Sequence, residues 1–178
     1  MKIERSTIIE DLLTITPDIH YDFRGEYVET FSAKTYSFAN GESKRIKFVE
    51  DDISLSRQYV LRGLHGDPKT WKLIQCLFGE FYYVVADMRP MSRTYLQWQS
   101  VVLNDRNRKQ VLVPANCANG HLCLSERCLF SYKQSEYYEG AGKQFTVRWD
   151  DPMLKIRWPI NNPILSERDA VAPLLKAR

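Results

Sequence analysis

The sequence predicts an all-β sandwich or barrel. Strand-like runs of β-branched and aromatic residues recur along it, broken at short intervals by turn signals. Patterns of helical period are scarce. With 178 residues, 44% of them hydrophobic and 12% aromatic, the chain suits one domain with a sizeable core over residues 1–178.

The elements follow in order. "GEYVETFS" (25–32) alternates loosely. "WKLIQCLFGEFYYVVADMR" (71–89) reads as two strands joined by a tight turn at Phe78-Gly79-Glu80. "YLQWQSVVL" (95–103) leads through the polar turn "NDRNRKQ" into "VLVP". "GHLCLSERCLFSYKQSEYY" (120–138) gives two more strands around Ser125-Glu126-Arg127. A short turn is expected in "TYSFANGE" (35–42). Another is expected in "LSERDAVAPLL" (165–175), with Ser166 as N-cap and Asp169 closing a capping box. From Asp151 onward prolines cluster among apolar residues, so the tail should wrap the body as irregular chain.

Composition narrows the function. The net charge of +3, without a Lys/Arg block, gives no footprint for nucleic acid. The N-terminus has no secretory pattern, and no stretch approaches the roughly 20 apolar residues that span a bilayer. Cys76, Cys117, Cys123 and Cys128 form no CxxC pair and read as reduced, buried thiols of a cytoplasmic protein.

Candidate chemistry centres on "VLRGLHGD" (60–67). His65 lies between Gly63 and Gly66, and Lys72 follows seven residues later. A base beside a cation suits proton abstraction with charge stabilisation. In a regular strand Arg62 and Leu64 would face away from His65, unless the glycines bend the chain. His65 and His121 lack the spacing of a metal site, and His20 falls in a polar N-terminal region. There is no Gly-x-Ser-x-Gly and no glycine-rich phosphate loop, and nothing near Cys117 lowers its pKa. Arg24, Arg62 and Arg168 are candidate anion ligands, because guanidinium forks match phosphate oxygens.

Together, "DFRGEYVETF", "VLRGLHGD", "KLIQCLFGEFYYVVADMR", "LVPANCANGH", "FSYKQSEYY", "VRWDDP" and "PILSERDAVAPLL" resemble the nucleotide-sugar 3,5-epimerases, over nearly the whole chain. The resemblance implies a cupin-like β jelly roll, a homodimer exchanging N-terminal strands, and neither metal nor cofactor. It implies His65 as general base, Asp151 (rather than Asp150) as the carboxylate orienting it, Tyr132 as general acid, and Lys72 as enolate stabiliser. Arg24, Arg62 and Arg168 match diphosphate contacts. Tyr138 matches a tyrosine near sugar and nucleotide, and Glu29 a residue near the base reached from the partner chain.

The sequence departs from that family at two places. Where members carry "PGFAHGF", this chain has Asn119 for the second histidine and a histidine two positions on, His121. The partner aspartate of that second histidine is Tyr83 here. Asn119, His121 and Tyr83 are therefore expected at a re-specified sugar pocket. In "FVEDDIS", Glu50 and Asp52 replace two amides near the nucleotide. Carboxylates only accept hydrogen bonds, which suits a donor-rich base such as guanine. "RGLHGD" and "NGHL" also resemble the branch acting on GDP-linked 4-keto-heptoses. The expected substrate is a nucleotide-linked 4-keto-6-deoxy sugar, hexose or heptose, with GDP favoured over dTDP or CDP. A 3,4-ketoisomerase and a non-catalytic sugar-binding cupin are the competing readings.

Overall fold

A computed structural model describes residues 1–38 and 45–176. Thirteen strands run in chain order: β1 (Lys2–Arg5), β2 (Leu13–Thr16), β3 (Ile19–Asp22), β4 (Gly25–Val28), β5 (Glu50–Arg57), β6 (Leu61–Gly66), β7 (Lys72–Phe78), β8 (Glu80–Asp87), β9 (Trp98–Asn104), β10 (Gln110–Val113), β11 (Cys117–Cys123), β12 (Arg127–Gln134) and β13 (Phe145–Thr146). Among the described residues a 3-10 turn (Ala141–Lys143) precedes β13, and a short α-helix, α1 (Glu167–Ala170), follows it. Two antiparallel sheets face each other, one ordered β1-β2-β10-β7-β12-β5 and the other β13-β6-β11-β8-β9; β3 and β4 pair alone. This is the expected all-β, jelly-roll class. No helix among the described residues is long and apolar enough to cross a membrane.

The tight turn read at Gly79 is present, but it does not make a hairpin. It carries the chain from β7 in one sheet to β8 in the other. Gly79 has φ +76°, and a Cβ there would lie 2.1 Å from the Arg127 carbonyl oxygen, so only glycine fits. The same crossing joins β5 to β6, β9 to β10 and β11 to β12. These pairs therefore lie in opposite sheets across the core, whereas β8 and β9 pair side by side within one sheet.

That core fills one end of the sandwich. Ile74 and Cys76 of β7, Phe81, Tyr83 and Val85 of β8, Val111 and Val113 of β10, and Cys128 and Phe130 of β12 meet there. Burying each large apolar side chain contributes about 1.5–3 kcal/mol. The outer face of the six-stranded sheet is covered by Tyr36, Phe38 and Ile46. The outer face of the five-stranded sheet is covered by the tail, through Val147, Leu154, Ile156 and Trp158. The stretch expected to form a turn at 35–42 runs into residues 39–44, outside the described residues. His20, read as loop, lies on β3 and pairs with Tyr27.

Candidate active site

The inward face of each strand changes from apolar to polar toward the other end of the sandwich. On β7, Lys72 continues the row of Ile74 and Cys76; on β12, Tyr132 continues Cys128 and Phe130, in keeping with a period of two. There the sheets enclose a cavity of about 490 Å³, whose lining includes Arg62, His65, Lys72, Asn119, His121, Phe130, Tyr132, Tyr138, Arg168 and Asp169.

A bulge brings Arg62 and His65 to the same side. Asn119 of β11 pairs with His65, and His121 pairs with Arg62, so three steps of β6 oppose two of β11. The extra residue lies at Gly63-Leu64. Gly63 has φ +134°, and a Cβ there would lie 2.6 Å from the Gly120 Cα. Leu64 consequently turns to the outer face and packs with Val84, Ala118 and Val147. The glycine thus bends the strand as the local sequence requires for both polar groups to face one cavity.

His65 Nε2 lies 2.6 Å from Asp169 Oδ1. This corrects the expectation that Asp151 orients the histidine. Asp151 is 1% exposed and binds the tail instead: Oδ1 accepts from the Met153 N–H at 2.8 Å and Oδ2 from the Leu175 N–H at 2.7 Å. It is absent from the cavity lining. Asp169 was expected to close a capping box. Ser166 does cap α1, its Oγ accepting from the Asp169 N–H. The Asp169 carboxylate, however, turns to His65 and to the Gly63 N–H at 3.4 Å. The acidic residue missed in sequence stood in a quoted motif, "LSERD", where a cap explained it locally.

Burial raises the Asp169 pKa, but hydrogen bonding and attraction from His65, with the Gly63 N–H, outweigh this and hold it below the ordinary carboxylate value. A carboxylate only accepts, so Nε2 carries the proton and Nδ1 keeps the ring's lone pair. Asn119 donates from Nδ2 to the His65 carbonyl oxygen at 2.9 Å, bracing β6 against β11.

Across the cavity, Lys72 Nζ lies 5.6 Å from the centroid of the Tyr132 ring. Burial lowers the Lys72 pKa, with Asp67 and Asp52 opposing. Burial first, then Asp52, push the Tyr132 phenol up to about 12, so it stays protonated near neutrality. Arg62 is propped by Ser56 Oγ at 3.0 Å and the Leu55 carbonyl oxygen at 3.2 Å. Arg168 reaches Gln144 Oε1 at 3.3 Å. Both guanidinium groups keep further donors for an anion.

Other expected residues lie elsewhere. Tyr83 does not reach the cavity: it is fully buried in the core between the sheets, and its hydroxyl has no partner among the described residues. Strand parity places it with Phe81 and Val85 in the apolar layer. Arg24 sits at the exposed β3–β4 tip, its Nη2 on Asp22 Oδ2 at 2.6 Å, and Glu29 accepts from Thr35 Oγ1 at 3.0 Å. Neither lines the cavity of its own chain. Glu50 and Asp52 share the inward parity of Ser54, which does line it. Gln134 Nε2 donates to Glu50 Oε1 at 2.8 Å and Asp52 Oδ2 at 3.0 Å. Glu50 Oε2 also accepts from the Tyr138 N–H at 3.1 Å. Burial, then repulsion from Glu50, raise the Asp52 pKa.

A carboxylate-held imidazole on one sheet faces a phenol and a lysine on the other, within the cavity of a cupin-like jelly roll. Comparison with known proteins makes this specific. Residues 6–177 match the family model for dTDP-4-dehydrorhamnose 3,5-epimerase. The chain is 37% identical to the dTDP-4-dehydrorhamnose 3,5-epimerase of Salmonella typhimurium, over 98% of this chain and 96% of that one. A Legionella pneumophila dTDP-6-deoxy-D-glucose-3,5-epimerase, solved with dTDP-4-keto-L-rhamnose, superposes with a TM-score of 0.89 at 36% identity, covering 97% and 92% of the two chains. A Bacillus anthracis dTDP-4-dehydrorhamnose 3,5-epimerase, solved with TDP and PPi, gives 0.89 at 35% identity, covering 98% and 99%. The chain belongs to the dTDP-4-dehydrorhamnose 3,5-epimerase family.

Proposed function

We propose that this epimerase inverts C3, C5 or both of a nucleotide-linked 4-keto-6-deoxy sugar. The observation that carries the reading is the placement of His65–Asp169 on one sheet and Tyr132 and Lys72 on the facing sheet. A proton next to the 4-ketone is acidified because the carbanion delocalises onto the ketone oxygen. His65 Nδ1 takes that proton from one face, and Asp169 stabilises the imidazolium formed. Lys72, itself buried, compensates the enolate oxygen. Tyr132 returns a proton to the other face, so the centre inverts. A positioned acid and a positioned base each contribute about 10²–10⁴-fold. A donor on the opposite face is what inversion needs, and this favours epimerisation over 3,4-ketoisomerisation or sugar binding alone.

Arg62 and Arg168 would bind the diphosphate. Glu50 and Asp52 cannot, since carboxylates repel it; they suit the nucleobase. Guanine presents two adjacent N–H donors, whereas thymine presents one between two carbonyls. This supports GDP as the carrier, although the relatives are named for dTDP sugars. The heptose reading rests on sequence resemblance. A homodimer accounts for Arg24 and Glu29, which reach a nucleotide only from a partner chain, and for the exposed Tyr21, Phe23 and Tyr27 on the β3–β4 hairpin. Residues 1–178 form the single cupin-like catalytic domain, with β1 and β2 at the edge of the six-stranded sheet, and the cytoplasm is where activated sugars of this class are made.

The test is incubation in D₂O with GDP-, dTDP- and CDP-linked 4-keto-6-deoxy sugars, followed by NMR and mass spectrometry at C3 and C5. Deuterium uptake with inversion is expected, fastest on GDP. Tight binding of these donors with no uptake on any of them would contradict the epimerase reading.

A further inference from the structure

His121 is a buried polar group in the cavity wall, stacked on the apolar ring of Phe130. Val60, Leu61, Phe130, Ile164 and Leu165 supply the apolar lining, and His121 lies among them on β11. The Val60–Ile164 bridge joins two of these residues, and the His121 ring stacks on Phe130 with centroids 4.2 Å apart and planes 8° off parallel. The side chain is 2% exposed, and Nε2 has no hydrogen-bond partner among the described residues. Burying an imidazole nitrogen without a partner is unfavourable. An apolar ring of similar size would keep the stacking and avoid that cost.

The rest of the cavity is already assigned. His65, Tyr132 and Lys72 bracket the reacting carbons and the ketone, and Arg62 and Arg168 address the diphosphate. The least polar part of a 4-keto-6-deoxy sugar is its exocyclic arm at C5, which belongs against the apolar lining. There His121 adds one donor and one acceptor. Burial first, then Arg62 and His65, bring its pKa down to about 3, so the ring is neutral and offers both. With so low a basicity it is not a second base.

We propose that His121 is a specificity residue that hydrogen-bonds a hydroxyl on the exocyclic arm of the sugar, selecting an arm longer or more oxidised than methyl. This rests on the epimerase reading and deepens it. Sites built to hydrogen-bond a hydroxyl discriminate strongly against analogues lacking it.

The test compares two donors on one nucleotide, a 4-keto-6-deoxyhexose and a 4-keto-heptose with a hydroxylated arm, in wild type, His121→Phe and His121→Gln. Binding is read by calorimetry, which needs no turnover, and epimerisation by kcat/KM. Wild type is expected to prefer the hydroxylated arm. His121→Phe should lose about 10–100-fold more on that donor than on the 6-deoxyhexose, in both affinity and kcat/KM. His121→Gln, which keeps a donor and an acceptor, should recover part of the loss; it also serves if the phenylalanine variant fails to fold. Equal losses on both donors, or no wild-type preference, would overturn the proposal. Binding discrimination without deuterium exchange would instead leave the proposal standing and sink the epimerase reading.

Discussion

Two histidines share one cavity and sit in opposite environments. His65 sits on a bulged strand, with 24% of its side chain exposed and a buried carboxylate 2.6 Å from Nε2. His121 sits on the neighbouring strand, buried, stacked on Phe130 and without a partner for Nε2. The partner makes the difference. Asp169 accepts from Nε2 of His65 and so leaves Nδ1 as the nitrogen with the free lone pair. Burial without a carboxylate keeps His121 neutral. The groups around an imidazole decide what it can do, and under the proposed function they make His65, not His121, the base.

Removing the partner should erase that contrast. Asp169→Ala is expected to lower kcat by about 10²–10⁴-fold, as in other sites where a carboxylate orients a catalytic histidine, with the fold checked by circular dichroism. A loss smaller than tenfold would mean that His65 needs no orienter. The phenol proposed as the acid opposite His65 is expected to give an effect of similar size. Tyr132→Phe should cut epimerisation by about 10²–10⁴-fold while deuterium uptake at the abstracted position continues. If uptake and inversion fell together, Tyr132 would act on the first proton transfer as well.

The other histidine is best read through stability. Its folded pKa, about 3, lies below the unfolded value of about 6.5. Between these values the unfolded chain binds a proton that the folded chain does not. Stability therefore falls as pH drops through that window, by up to about 1.4 kcal/mol per pH unit from this group. In urea titrations at pH 7 and pH 5, His121→Phe should lose less stability on acidification than wild type. Parallel losses would show that the folded protein protonates His121 readily.

The smallest catalytic effect is expected at Asp151. Asp151→Ala frees the N–H groups of Met153 and Leu175 and should cost about 1–3 kcal/mol of stability for each one left buried. Turnover per folded molecule should stay within about twofold. A large loss of kcat with unchanged melting would restore Asp151 to the chemistry.

Much of this was legible in the sequence, for identifiable reasons. Strand segments followed from β-branched and aromatic runs, and Lys72 and Tyr132 from their motifs. Two things were not legible. Gly79 announced a turn, but whether a turn closes a hairpin or crosses between sheets depends on the partners of the next strand, which no local pattern encodes. The His65 partner was misplaced for a similar reason. Asp151 and Asp169 both lie in the proline-rich tail, and the path of that tail decides which carboxylate arrives behind β6. The side on which Arg62 falls was left open by its two neighbouring glycines, and the register shift against β11 settled it.

The most direct test of the central claim is solvent deuterium exchange into the 4-keto sugar by His65→Asn, beside wild type and at saturating donor. The account predicts that deuterium uptake disappears at whichever of C3 and C5 exchanges in wild type, while the sugar nucleotide still binds. Uptake persisting at near wild-type rate in His65→Asn would show that another group removes the proton, and His65 would lose its place as the base.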